Sequence, residues 1–265
     1  MAVEKAIFIS KVKNLNYVTA EYSRLYFGIE FCQNLIPSVE DLEYILRFVS
    51  EKGMDFTFVS PYVTNAGMER LKLLSDYLIE RRPESEIVIN DWGFMRWLNR
   101  NHSGINLVLG RLLTKQKRGP RILRLIGKVP GDMIEHFCQS IVDSEATSSY
   151  LIDRGIKRIE LDNLLQGVSR PSPLLKGSLY FPFAYVTTTR FCLISSYRDR
   201  IDKPLRSIFP CNRECQNYTF KLTHKQMPVE LFLKGNTQFF RNDKLPEEQE
   251  SLNIDRIVYE PEMPV

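Results

Sequence analysis

Cys211 and Cys215 stand with three residues between them in P-C-N-R-E-C-Q, and Cys32 and Cys192 each follow a phenylalanine, in L-Y-F-G-I-E-F-C and T-T-T-R-F-C. Four thiolates drawn from three distant segments could close an all-sulfur site. Soft sulfur ligands of that kind suit zinc or an iron–sulfur cluster. A structural zinc site usually draws on two close cysteine pairs, and this chain has one pair and two lone cysteines. That distribution favours a larger object such as a cubane cluster, with zinc the alternative. The bland reading makes Cys32 and Cys192 ordinary core cysteines beside aromatic neighbours. Cys138, in M-I-E-H-F-C-Q-S, is the fifth cysteine and the expected outsider, a buried thiol on a helix.

Other reactive side chains fall where strands are expected to end. They are Tyr62 after V-S-P, Asn90 and Asp91 in I-V-I-N-D-W, Arg111 after L-V-L-G, Glu160 in R-I-E-L-D, and Arg190 in T-T-T-R-F-C. Glu160 reads as an interior carboxylate aimed at a substrate or paired with Arg190, or as a solvent-facing partner of its own strand. Asp91 has a simpler role as a helix cap, which leaves Asn90 free to point inward. The three histidines form no H-E-x-x-H pattern and no readable nucleophile–base pair, and no glycine-rich run makes a Walker cradle. A hydrolase of the serine, cysteine or zinc type is therefore poorly supported.

These residues need a scaffold that gathers strand ends. A-I-F-I-S, S-R-L-Y-F-G, D-F-T-F-V-S, E-I-V-I-N-D, I-N-L-V-L-G and I-K-R-I-E-L-D read as short strands. Helices fall between several of them. One opens at Pro37-Ser38, carries Leu42, Ile45, Leu46 and Val49 on one stripe, and stops at Gly53; others cover Asn65 to Arg81 and Trp92 to Asn101. Further helices are expected over Pro130–Ser140 and Ser144–Arg154, after a long connection from Arg111 to Met133. F-A-Y-V-T-T-T at Phe183–Thr189 is rich in aromatic and β-branched residues and reads as the next barrel strand. The alternation predicts an α/β fold, a TIM-type barrel that is complete, incomplete or irregular. In such a barrel the reactive groups collect at the carboxyl ends of the strands, which would put Cys32 and Cys192 on one rim.

The last quarter changes character. Y-T-F-K-L-T-H, V-E-L-F-L-K-G and T-Q-F-F-R-N read as antiparallel strands, with Lys234-Gly235-Asn236 as a turn. The expected organisation is one barrel-like domain over residues 1–265, with a cysteine-pair loop and small antiparallel sheet at 211–245 as an insertion.

The net charge of +4 over 265 residues is modest. Basic residues gather at Lys115, Lys117, Arg118, Arg121, Arg124 and Lys128, and again at Arg198, Arg200, Lys203 and Arg206. Such runs can attract phosphates or RNA, but a solvated face is the simpler expectation. No apolar run approaches the roughly 20 residues that span a membrane. The N-terminus reads as a first strand rather than a signal peptide, so the expected location is cytoplasmic, where disulfides are the weaker explanation of the cysteines.

The set F-C after L-Y-F-G, N-D-W-G, R-I-E-L-D-N, T-T-T-R-F-C and C-N-R-E-C resembles the collagenase-like, or U-type, peptidase family, and within it the UbiU/UbiV-like branch. The resemblance runs over nearly the whole chain. It implies partial or complete TIM-type barrels. It also implies a [4Fe–4S] cluster held by Cys32, Cys192, Cys211 and Cys215, and support of oxygen-independent hydroxylation of an aromatic ring or a nucleobase of RNA. It further implies work beside a family-related partner in a heterodimer, with this chain as the redox half or as an accessory scaffold. Tyr62, Asn90, Arg111, Glu160 and Arg190 are the expected pocket residues. The long Cys192–Cys211 interval and the run G-R-L-L-T-K-Q-K-R-G-P-R depart from the ubiquinone-pathway pattern, so that substrate is not carried over.

Overall fold

A computed structural model describes residues 3–171, 173–195, 211–247 and 249–265. The basic run Arg198, Arg200, Lys203 and Arg206 lies outside the described residues. Eight strands close a barrel: β1 (Glu4–Ile9), β2 (Arg24–Gly28), β3 (Asp55–Val59), β4 (Glu86–Ile89), β5 (Asn106–Leu109), β6 (Ile156–Asp162), β7 (Lys176–Phe181) and β12 (Ile254–Tyr259). Every neighbouring pair is parallel, and β1 meets both β2 and β12, which closes the ring. Among the described residues, no helix is long and apolar enough to cross a membrane.

The helices follow from local chemistry. In α1 (Val39–Lys52) Ser38 accepts from Asp41 N while the Asp41 carboxylate accepts from Ser38 N, and Gly53 ends the helix at φ 61°. Leu42, Ile45, Leu46 and Val49 form its buried stripe. In α3 (Trp92–Asn101) Asp91 caps by accepting from Gly93 N at 2.8 Å and Phe94 N at 3.0 Å. Between them, α2 (Asn65–Arg81) has no side-chain cap from its own Thr64; instead Gln33 Oε1 accepts from Thr64 N at 2.8 Å. That bond ties the loop after β2 to the start of α2. Three shorter helices, α4 (Arg111–Thr114), α5 (Gly131–Cys138) and α6 (Glu145–Ile152), occupy the connection from β5 to β6. The irregularity lies in the joints, because among the described residues β6 runs to β7 with no helix between them.

The seventh barrel strand corrects the sequence reading. It is K-G-S-L-Y-F at Lys176–Phe181, and Phe183–Thr188 is instead β8, the first strand of a separate sheet. That sheet has the order β8-β11-β10-β9, with β9 at Phe220–Leu222, β10 at Leu231–Lys234 and β11 at Thr237–Arg241, all antiparallel. The switch falls at Phe181-Pro182. Phe181 O still accepts from Glu260 N at 2.8 Å on the barrel side, whereas Pro182 O accepts from Asn242 N on the side of the small sheet. Proline has no N–H to continue the barrel ladder. Gly177 and Ser178 lower the β-propensity of the true barrel strand, so the aromatic run after it reads more strongly. Thr188 therefore ends a strand of the small sheet, not a barrel strand, and Thr189, Arg190 and Cys192 follow it.

Ala6, Phe8, Tyr26, Val59, Val88, Val108, Tyr180 and Val258 form one interior cluster, and a larger apolar layer packs the helices onto the strands. Polar networks close both ends. At the amino end of the strands Arg256 donates to Glu4 Oε2 and Glu86 Oε2, both at 2.6 Å, and Arg24 donates to Glu4 Oε1 at 2.7 Å. At the carboxyl end the fully buried Arg111 donates to Glu30, to Asp162 Oδ1 at 3.0 Å, to Glu260 Oε1 at 2.6 Å and to Phe183 O at 3.1 Å. Its guanidinium lies 4.0 Å from the Tyr180 ring centroid. Arg118 adds a bond from Nε to Asp162 Oδ2 at 2.6 Å. Arg118 is buried, so the first basic run is not uniformly a solvated face.

Candidate functional site

Cys32, Cys192, Cys211 and Cys215 line one cavity of about 180 Å³, together with Phe31, Tyr62, Arg190, Gly235 and Asn236. The cavity lies off the barrel axis, where the loops after β2 and β3 meet the small sheet. Among the described residues, no histidine, aspartate or glutamate lines it, and the cysteines are its sulfur donors. Among the described residues, no three Cys, His, Asp or Glu side chains converge on a point that would suit a single metal ion. The four thiols are arranged around a space.

Each segment reaches the cavity for a local reason. Gly28, at φ 139°, lets β2 pass so close to β3 that a Cβ there would lie 2.1 Å from Val59 O. Cys32 follows, and Gln33 fixes the next turn through Thr64, while Arg70 donates to Gln33 O at 3.1 Å and to Ile36 O. Asn236 joins three segments: Nδ2 donates to Phe31 O and Thr189 O, both at 2.6 Å, and meets Tyr62 OH at 3.0 Å. Phe31 precedes Cys32, and Thr189 lies three residues before Cys192. Gly235, at φ 61°, brings the β10–β11 turn against the cysteine pair, since a Cβ there would sit 3.4 Å from Cys215 Cβ. Phe31, Leu112, Phe183, Tyr185, Cys215 and Phe239 pack together beneath.

Burial pushes the Cys32 thiol up to about 11; the Asn34 backbone opposes this, and charge on Cys215, Cys211 and Cys192 would add to it. Burial also raises Cys192 and Cys215. The thiols are near enough that ionising one opposes ionising the next. A positively charged guest would reverse that penalty and release protons as it bound. Donor type, shared cavity and mutual electrostatics therefore fit a multi-iron cluster.

Cys138 sits elsewhere, its thiol 3.2 Å from Gln166 O at the end of α5. Tyr62 and Arg190 line the cavity; Arg190 donates to Val63 O at 3.2 Å, and its guanidinium lies 5.5 Å from the Tyr62 ring centroid. The expected pairing of Glu160 with Arg190 does not form. Glu160 is buried inside the barrel, where Oε1 accepts from Tyr26 OH at 3.2 Å and Oε2 has no protein partner. Burial drives its pKa up to about 8 against the pull of Arg256 and Arg158. Asn90 points inward and is fully used: Nδ2 donates to Ser60 O at 2.9 Å, and Oδ1 accepts from Leu112 N at 3.1 Å. Arg111 plugs the barrel mouth, where burial raises the pKa of Glu30 and Glu260 while Arg111 opposes it.

Sequence reasoning missed Glu30, Glu260, Gln33 and Asn236. Glu30 carried a weak signal, as a lone carboxylate in the apolar run F-G-I-E-F-C, and Asn236 was legible only as a turn residue.

No protein-family profile matches the chain, and no curated protein matches it. Among solved structures, the U32 peptidase Mk0906 shares 11% identity, with a TM-score of 0.51, over 100% of this chain and 95% of that one. CutC from Streptococcus agalactiae shares 12% identity, with a TM-score of 0.43, over 67% of this chain and 87% of that one. At these identities the likeness to Mk0906 is one of fold.

Proposed function

We propose that this chain is an iron–sulfur protein of the U-type peptidase-like superfamily, in its UbiU/UbiV-like branch. In this reading Cys32, Cys192, Cys211 and Cys215 hold a [4Fe–4S] cluster. The carrying observation is that all four line one cavity, while Cys138 is elsewhere. The motif resemblance and the full-length likeness of fold to Mk0906 support the same assignment.

With all four irons tied to cysteine, the cluster would supply electron transfer, in support of oxygen-independent hydroxylation of an aromatic ring or nucleobase. Tyr62 and Arg190 are the polar groups placed to meet a substrate at this cavity. Glu160, Asn90 and Arg111 are read as supports of the barrel. Among the described residues, the cavity lining offers no general base of the kind peptidase chemistry uses.

A second reading makes the chain a metal-stabilised accessory subunit of a family-related partner. The Arg111 plug favours it, because the usual substrate position at the mouth of a barrel is filled by protein.

Anaerobically purified protein should be brown, with about four irons and four sulfides per chain. Cys211→Ser or Cys215→Ser should abolish loading, and Cys138→Ser should not. Colourless protein with one zinc would overturn the redox reading. A loaded cluster that cannot be reduced and reoxidised reversibly would select the accessory reading.

A further inference from the structure

A second cavity of about 300 Å³ adjoins the cysteine cavity; Leu35 and Val265 wall both, and Lys11, Asp41, Arg70 and Arg213 supply its charge. Among the described residues, three cations thus face one carboxylate, and that carboxylate is committed to Ser38 N in the α1 capping box. Arg70 donates to the carbonyls of Gln33 and Ile36, and among the described residues no acid pairs with it. Arg213 stands between the paired cysteines at φ 58°, and its side chain has no hydrogen bond or ion pair among the described residues. Lys11 has Glu262 at 3.9 Å, and Asn14 already donates to that carboxylate at 3.1 Å.

We propose that this cavity is a phosphate subsite, which holds the phosphoryl group of a ligand whose ring extends toward the cysteine cavity. An exposed guanidinium fork and an ammonium around a polar cavity are the groups that recognise phosphate, and the cavity lies at the carboxyl ends of β1 and β2. Calling the ligand a substrate rests on the redox reading above; phosphate binding itself does not. If the same cations only offset the charge of a cluster held by the four cysteines, the cluster-loaded chain would ignore phosphate.

The test titrates inorganic phosphate, adenosine 5′-monophosphate and the dinucleotide ApA, whose only phosphate is an internal diester, into the full chain by calorimetry. Cluster-loaded protein and the Cys211→Ser chain are both used. Phosphate and at least one nucleotide should bind both forms, with Kd rising about tenfold or more in Lys11→Gln and Arg70→Gln. Arg96→Gln, on the exposed face of α3, should change nothing. If Arg70→Gln fails to fold because it loses its carbonyl bonds, Lys11→Gln and Arg213→Gln carry the comparison. Binding of the monophosphate alone assigns a terminal monoester, and binding of ApA assigns the diester of a strand. No phosphate binding, or binding indifferent to both Lys11 and Arg213, overturns the subsite. Phosphate binding without iron loading would sink the redox reading and keep the subsite; iron loading without phosphate binding would do the reverse.

Discussion

Glu160 and Arg111 are both buried ions, and their surroundings set opposite consequences. Arg111 has three carboxylates around it, so its charge is compensated, and removing it would strand acids in the core. Glu160 has only the Tyr26 hydroxyl as a direct partner, and burial lifts its pKa from 4.5 to about 8. Between those values the native chain keeps a proton that the unfolded chain has released. Stability contributed by this group must therefore fall as pH rises from about 4.5 to 8. Glu160→Gln keeps an acceptor for Tyr26 and abolishes the titration. Relative to wild type, it should gain about 2–4 kcal/mol between pH 5 and pH 8, read from urea midpoints. An identical pH slope in the two proteins would show that Glu160 is not a buried neutral acid.

At the scale of elements, the cavity exists because a barrel loop and a small sheet are pinned together, and Asn236 is the pin. Its amide reaches the backbone on both the Cys32 and the Cys192 segments. Asn236→Ala should leave the far-ultraviolet dichroism of the barrel intact while weakening iron retention about 10–100-fold in chelator competition, the usual cost of losing a group that orients ligands. Unchanged retention would make Asn236 a turn residue and nothing more. The sequence made some of these elements plain and hid others. Ser38, the Leu42–Val49 stripe and Gly53 define α1 by themselves, as Asp91 defines the start of α3, because caps and stripes are local. The exchange of β7 and β8 was hidden because Phe183–Thr188 has the stronger β-propensity, while Pro182 and the pairing of Phe181 with Glu260 decide which sheet each strand joins. The four cysteines were legible as types. Their gathering at one site was expected as well; what holds that site together, Gly28, Gln33 and Asn236, was not legible, because those roles arise only from contacts across the fold.

On the scale of the whole molecule, the barrel is closed by its own hydrogen bonds and plugged by Arg111, so its integrity needs no guest. The small sheet is attached differently. It leans on the barrel through the Phe31, Leu112, Phe183, Tyr185 and Phe239 cluster and through Asn236. A cluster on the four cysteines would add a covalent bridge between the loop after β2, the segment after β8 and the loop before β9. A guest that binds only the folded chain stabilises it, and here the gain should concentrate at that bridge. Removing iron anaerobically with a chelator should therefore raise amide exchange in residues 31–36, 187–195 and 211–217. β4 and β5, which pair with each other in the barrel wall, should keep their protection. Uniform loss of protection would mean that the metal holds up the barrel itself. Unchanged exchange around Cys32 and Cys215 would mean that these thiols do not share a metal at all.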